Sequence, residues 1–172
     1  MSNQTRKLSD IMKEMSELLF REPDKVHSSE AAHVALCFAN VAWNETIGLD
    51  HAREGYRNIW ETIEAEKPDL WNEFKSNDID GMIDELVSHK QTHFADDRRR
   101  ILTCGTVNGK IRVEWLGPAA PGVDVELEMR LYGLVRTGDR QGAIRVLQET
   151  CKLSRSEATK RVAEIAAELG VG

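Results

Sequence analysis

The stretch SSEAAHVALCFANVAWNETIG, Ser28 to Gly48, has apolar side chains on most sides of a helical wheel: Ala31, Ala32, Val34, Ala35, Leu36, Phe38, Ala39, Val41, Ala42 and Trp43. A helix apolar on so many sides has to be surrounded, so it belongs at the centre of a bundle. Ser28 or Ser29 can cap its first turn, and Gly48 ends it. Upstream, Leu8, Ile11, Met12, Met15, Leu18 and Leu19 fall at helical spacing. That helix stops before Pro23, which disfavours helical geometry at Glu22. Downstream, Asp50 caps a third helix with Ala52, Tyr56, Ile59, Trp60 and Ile63 inward. Pro68 starts a short helix over PDLWNEF. Asn77 or Asp78 opens a fifth, with Ile79, Met82, Ile83, Leu86 and Val87 inward.

The period then changes. ILTCGTVNGKIRVEWL, Ile101 to Leu116, has two β-prone runs, about 101–107 and 110–116, around Asn108-Gly109. Asn-Gly accepts positive φ at both central positions of a type I′ turn, so a β-hairpin is expected. A lone ribbon is only marginally stable, so its apolar face, read as Leu102, Val107 and Trp115, must be covered. Its open edges allow pairing with a second copy, which gives a homodimer expectation. Residues 117–123 read as a linker through GPAAPG. Beyond it, 124–172 reads as a three-helix subdomain. VDVELEMRL alternates like a strand, but Leu127, Leu131, Leu134 and Val135 form a helical stripe, and helix is chosen. Gly138 ends it, and two short helices follow. The fold class is therefore mainly α: a helical bundle with a β-hairpin over 1–116, then a C-terminal helical hairpin subdomain.

Of the 172 residues, 41% are hydrophobic and 30% charged, and the net charge of −6 argues against the whole molecule seeking nucleic acid or an anionic membrane. Cys37, Cys104 and Cys151 are odd in number, far apart and lack a CxxC, so neither a disulfide framework nor a zinc finger is expected. The start, MSNQTRKLSD, has no apolar signal core, and AAHVALCFANVAW is too short to span a bilayer. A cytoplasmic protein with reduced thiols is expected. There is no Walker loop, dinucleotide fingerprint, GxSxG or HExxH. Asp96 to Arg100, DDRRR, reads as a solvated junction, and Trp43, Trp60, Trp71 and Trp115 as core anchors.

Two helices carry potential metal ligands. Glu30, His33 and Cys37 lie on one stripe with Asn40 and Asn44; Glu85, His89 and His93 lie at i, i+4 and i+8. Bundles build metal sites from Glu-x-x-His elements on facing helices. The competing reading makes Glu30, His33, Asn40 and Asn44 an ordinary solvated stripe, and no metal or cofactor is favoured.

GDRQGAIRVLQETCKLSRSEATKRV, Gly138 to Val162, reads as two amphipathic arms. Ala143, Ile144, Leu147 and Cys151 share one face; Leu153, Ala158, Val162, Ile165 and Leu169 share the other. Ser154 and Glu157 have capping-box spacing. This stretch resembles the helix-turn-helix part of the C-terminal domain of the bacterial ribosomal stalk protein, and still more the stalk-like hairpins that end some uncharacterised bacterial proteins. Ala143-Ile144-Arg145, Thr150, Leu153, Glu157-Ala158 and Val162 carry the match. The resemblance implies hairpin geometry and a basic surface that binds a protein; in the stalk family such residues bind translational GTPases, and Arg145 sits where the family has a Lys. Gln148 and Thr159 stand where the family has cations, and Lys152 and Ser154 replace its turn glycines. From residues 139 to 161 there are six basic and three acidic residues, a mild excess. The expectation is a non-enzymatic interaction protein whose unknown protein partner meets Arg145, Lys152, Arg155, Lys160 and Arg161. Its rivals are a metal-binding bundle using Glu30, His33, Glu85, His89 and His93, and a weak DNA-binding regulator using the helix from Ser154.

Overall fold

The computed structural model describes residues 6–49, 52–118 and 124–171. The Asp50 cap and most of the 117–123 linker lie outside them. The chain is mainly α with one antiparallel hairpin. It divides into two compact units, Met1–Ala119 and Ala120–Gly172.

The first unit is built around α2, Ser29–Glu45, capped by the Ser28 hydroxyl, which accepts from the Ala31 amide. As its composition demands, α2 is covered on several sides: by α1 (Leu8–Glu17), α3 (Ala52–Glu66), a 3-10 helix (Pro68–Glu73), α4 (Ile79–His93) and strand β1 (Arg100–Val107). Phe38 is fully buried, with Trp60 edge-on at 4.8 Å and Phe74 and Trp71 beyond it. The α3 face is narrower than its pattern suggests. Trp60 is buried, Tyr56 and Ile63 are half-buried against the core, and Ile59 is exposed.

Strand β2, Lys110–Leu116, pairs antiparallel with β1 around Asn108 (φ 51°) and Gly109 (φ 72°), both in the left-handed region the turn requires. The covered face differs from expectation. Ile101 is buried, and Cys104, Ile111 and Val113 pack on the core, whereas Val107 and Trp115 are 45% and 49% exposed. Val107 is three residues from Cys104 and so faces away from it, and β1 carries a bulge: Ile101 pairs with Trp115 but Thr103 pairs with Glu114, leaving Leu102 as an extra residue. One extra residue breaks the alternation along β1, so Leu102 does not share a face with the residues that its spacing implies.

The ribbon is fastened to α2 by side chains that the sequence pattern placed in solvent. Asn40 and Asn44 are buried, not part of a solvated stripe. The Asn44 amide donates to the Ile101 carbonyl (2.8 Å) and to Asn40 Oδ1 (3.0 Å), while the Ile101 amide donates to Asn44 Oδ1 (3.1 Å). Asn44 thus satisfies the outward donor and acceptor of Ile101 as a neighbouring strand would. Two residues earlier along the chain, the Arg99 carbonyl accepts from Trp43 Nε1 at 2.7 Å.

The DDRRR segment is likewise not a solvated junction, because Asp97 and Arg100 are buried. Asp97 accepts from the Arg99 amide and guanidinium, and Arg100 Nε donates to the Gly117 carbonyl. Fully buried Lys90 closes the end of α4. Its ammonium donates to the carbonyls of Phe94 (2.6 Å) and Asp97 (2.7 Å) and lies 4.4 Å from the Trp43 ring centroid. It joins the C-cap carbonyl of Phe94, which also accepts from the Asp97 amide, to the carbonyl of the turn that follows. At the opposite end of α1, Phe20 stacks on the His27 ring at 3.6 Å. His27 Nδ1 meets Glu73 and Nε2 meets the Glu22 carbonyl, so this turn is held to the 3-10 helix.

In the second unit, α5 (Val125–Arg136), α6 (Arg140–Cys151) and α7 (Arg155–Glu168) pack on one another. Their N-termini are capped by Asp124, Asp139 and Ser154. Gly138, at φ 85°, lets the chain turn between α5 and α6. The buried set is Leu131, Tyr132, Val135, Ala143, Ile144, Val146, Leu147, Ala158, Val162, Ile165 and Ala166. Cys151 is exposed, unlike its expected place on the inner face. The Tyr132 hydroxyl donates to Glu168, tying α5 to the end of α7.

Two outcomes follow from these clamps. Replacing Asn44 with Leu leaves the Ile101 amide and carbonyl buried without partners, at a cost of about 3 kcal/mol. A fall in the urea midpoint, with faster exchange of the Ile101 amide, is expected; an unchanged midpoint would refute the clamp. Burial depresses the Lys90 pKa to about 8, against the opposing pull of the Asp97 charge and with the help of Arg98 and Arg99. The unfolded chain keeps that proton to about 10.5, so between the two values it binds more protons than the native state, and this contribution to stability rises with pH. It declines as pH falls from about 10.5 and is gone below about 8. Lys90→Met should remove the rise, and urea midpoints of both proteins at either end of the window measure it.

Candidate functional site

The residues expected to meet a partner lie in the second unit, where local sequence fixes the α6–α7 turn. Ser154 Oγ accepts from the Glu157 amide at 3.3 Å, and the Glu157 carboxylate accepts from the Ser154 amide at 2.9 Å. The same carboxylate takes the Ser154 hydroxyl at 2.6 Å, and these bonds hold the Glu157 carboxyl below its usual range. The capping box read from the sequence is therefore formed. Lys152 sits just before it at φ 56°, in the left-handed conformation. A side chain there costs about 1 kcal/mol relative to glycine.

Arg145, Lys152, Arg155 and Lys160 are all exposed. None of the four has an ion-pair partner among the described residues. Arg161 differs: half-buried, it pairs with Glu164 at 3.2 Å and lies 3.7 Å from Glu168. The hairpin thus presents four uncommitted cations and one that is already neutralised. Arg145 is on α6, Lys152 is in the turn, and Arg155 and Lys160 are on α7. The apolar faces of all three helices are used within the unit, so none of these cations is needed to close it.

The five potential metal ligands of the first unit are not brought together. Glu30 pairs with Lys67, and Glu85 pairs with Lys75 at 2.5 Å. His33 turns toward the hairpin: Cys37 Sγ is 3.8 Å from its Nε2, and a Cβ built on Gly105 would lie 3.9 Å from its Cε1. His89 faces α1, with Nε2 3.3 Å from Glu14, and its ring centroid is 4.4 Å from that of His93. Glu14 also pairs with Arg6 at 2.7 Å. Its burial raises its pKa, but the bonds from Arg6 and His89 outweigh that and leave the carboxyl below its usual range. Among the described residues no three His, Cys, Asp or Glu side chains gather closely enough to hold a metal ion.

Cys37 and Cys104 face one another across the α2–β1 packing with Tyr56 nearby. Burial pushes the Cys37 thiol up and the Cys104 thiol up to about 12, the latter with a contribution from Cys37. Burial, then Cys37, raises the Tyr56 hydroxyl, which bonds Asn40. Thiols held protonated this way are poor nucleophiles at neutral pH. The cluster is a packed seam in which burial outweighs the one neighbour that could activate it, His33, whose Nε2 lies 3.8 Å from Cys37 Sγ.

Two groups of residues are placed differently from what their sequence suggests. Asn40 and Asn44 carry no signal that separates a buried amide from an exposed one on a helix whose other faces are already apolar. The cations Arg98 and Arg99 did stand out as a charge run, yet their surroundings depend on chain folding about Asp97. Among the described residues no helix is long and apolar enough to cross a membrane. Compared with known protein families, curated proteins and solved structures, the chain matches none of them.

Proposed function

We propose that the chain is a non-enzymatic interaction protein that binds an acidic surface of a protein partner through the α6–α7 hairpin. The observation that carries this reading is the exposure of Arg145, Lys152, Arg155 and Lys160 on a unit whose apolar faces are already closed. Packing needs none of them. Lys152 adds to the argument, since it holds a backbone conformation that glycine would hold with less strain. The resemblance to stalk-type hairpins, in which basic residues bind a protein, points the same way.

Exposed charge contacts act on association rate and salt dependence as well as on affinity. The partner interaction should therefore weaken with rising salt. Arg161 contributes less than the others because Glu164 and Glu168 already neutralise it.

The test compares co-purified proteins for the full chain, for Arg145→Glu with Lys160→Glu, for Lys152→Gly, and for a chain ending at Gly122. Partners held by the hairpin should be lost with the truncation and with the double reversal. Lys152→Gly should weaken their capture while stabilising the second unit by about 1 kcal/mol, so that loss of binding is separated from loss of folding. If all four proteins retain the same partners, or none retains any, the hairpin is not the binding element.

A further inference from the structure

In the first unit, the start of α1, the segment around Asp97 and the outer strand β2 enclose an open cleft of about 860 Å³. Five cations line it: Arg6, Lys7, Arg98, Arg99 and Arg112. Two carboxylates line it as well, Asp97 and Glu114. The excess is notable because the first 116 residues hold 21 acidic and 15 basic side chains. The surrounding unit is acidic, and the cleft is where its positive charge is gathered.

These cations differ in their commitments. Arg99 is locked by buried Asp97, and Arg6 pairs with Glu14. Lys7, Arg98 and Arg112 are exposed, and none has an ion-pair partner among the described residues. Three uncompensated cations around one concavity repel one another, and an anion entering it relieves that repulsion. Lys7 is also the N-cap residue of α1 and makes no side-chain cap bond, so the positive end of the helix adds to the same field.

Trp115 lines the same cleft and supplies something inorganic anions do not need. It is 49% exposed, the least buried of the four tryptophans, and the Arg99 guanidinium carbon lies 5.3 Å from its ring centroid. The Asp97 pair fixes that guanidinium. A half-exposed planar ring, with a guanidinium over it and cations beside it free to take a phosphate, supplies the pairing by which proteins hold nucleotides: stacking for the base and charge for the phosphate. The volume is within the range of small-ligand sites.

We propose that this cleft binds a mononucleotide-type ligand, its phosphate held by Lys7, Arg98 and Arg112 and its planar base stacked on Trp115. No bond is made or broken; the site is a binding site. It is separate from the α6–α7 hairpin and does not depend on the function proposed for it.

The full chain is titrated at low salt with adenosine 5′-monophosphate, adenosine and inorganic phosphate, following tryptophan fluorescence and melting temperature. The monophosphate should quench fluorescence, raise the melting temperature and bind at least about tenfold more tightly than either fragment. Its affinity should fall as salt is raised. Trp115→Leu and Arg98→Gln with Arg112→Gln alter exposed side chains, and circular dichroism verifies that each variant is folded. Each should weaken the monophosphate at least about fivefold. Absence of saturable binding up to about 10 mM would overturn the proposal. So would phosphate binding as tightly as the nucleotide and indifferently to Trp115→Leu, which marks a plain anion site. A single-stranded octanucleotide binding about a hundredfold more tightly than the monophosphate would also overturn it, in favour of a strand-binding track.

Discussion

The first unit depends on one buried amide. Asn44 sits on the helix at the centre of the core and exchanges two hydrogen bonds with Ile101, as if it were one residue of a third strand. Neither partner is viable alone. A two-stranded ribbon in water is marginal, and a helix apolar all round needs cover. Apolar contact would supply cover in many registers. The amide admits only one, because a shift by one residue strands the donor, the acceptor and the Asn44 side chain together. Trp43 repeats the constraint at Arg99, so two consecutive residues of α2 specify where the strand begins.

That constraint explains which parts of the fold were legible in the sequence. Helix positions follow from period and caps: Ser28, Asp78, Asp124, Asp139 and Ser154 each bond an amide in the first turn. The hairpin turn follows from Asn108-Gly109. These are local effects, written over a few residues. The side of the ribbon that faces inward is not local. It is decided by the pairing of Asn44 with Ile101 and by the bulge at Leu102, neither of which the apolar character of Leu102, Val107 and Trp115 encodes. Asn40 and Asn44 escaped for a related reason. Polar residues spaced four apart look alike whether they meet water or a strand edge 57 residues away.

The segment after α4 shows the same physics with charge. A helix end, a buried lysine and a buried aspartate are arranged so that every charge has partners: Lys90 takes two carbonyls and the face of Trp43, and Asp97 takes Arg99. Burying ions in this way is costly unless each is well bonded, and it contributes little net stability even then. Its effect is positional. It holds the chain from Phe94 to Ile101 in one path, places Arg99 over Trp115 and leaves Arg98 outside. The charge run read as a solvated junction is therefore half scaffold and half surface, and sequence alone does not divide it.

The second unit divides its residues more plainly. Closure is carried by apolar side chains and by three caps, of which the pattern of Gly138–Val162 announces the α6–α7 faces and the Ser154 cap. What closure does not require is the chemistry of the turn. Lys152 holds a left-handed conformation that favours glycine, so selection for hairpin stability alone would remove its side chain. Arg145, Arg155 and Lys160 have no ion-pair partner among the described residues, while Arg161, one residue on, is paired twice. Exposed ion pairs add little stability, so folding alone does not account for which of these cations are paired. On the proposed function an external acidic surface completes the four open cations, and the strain at Lys152 is the cost of presenting one of them.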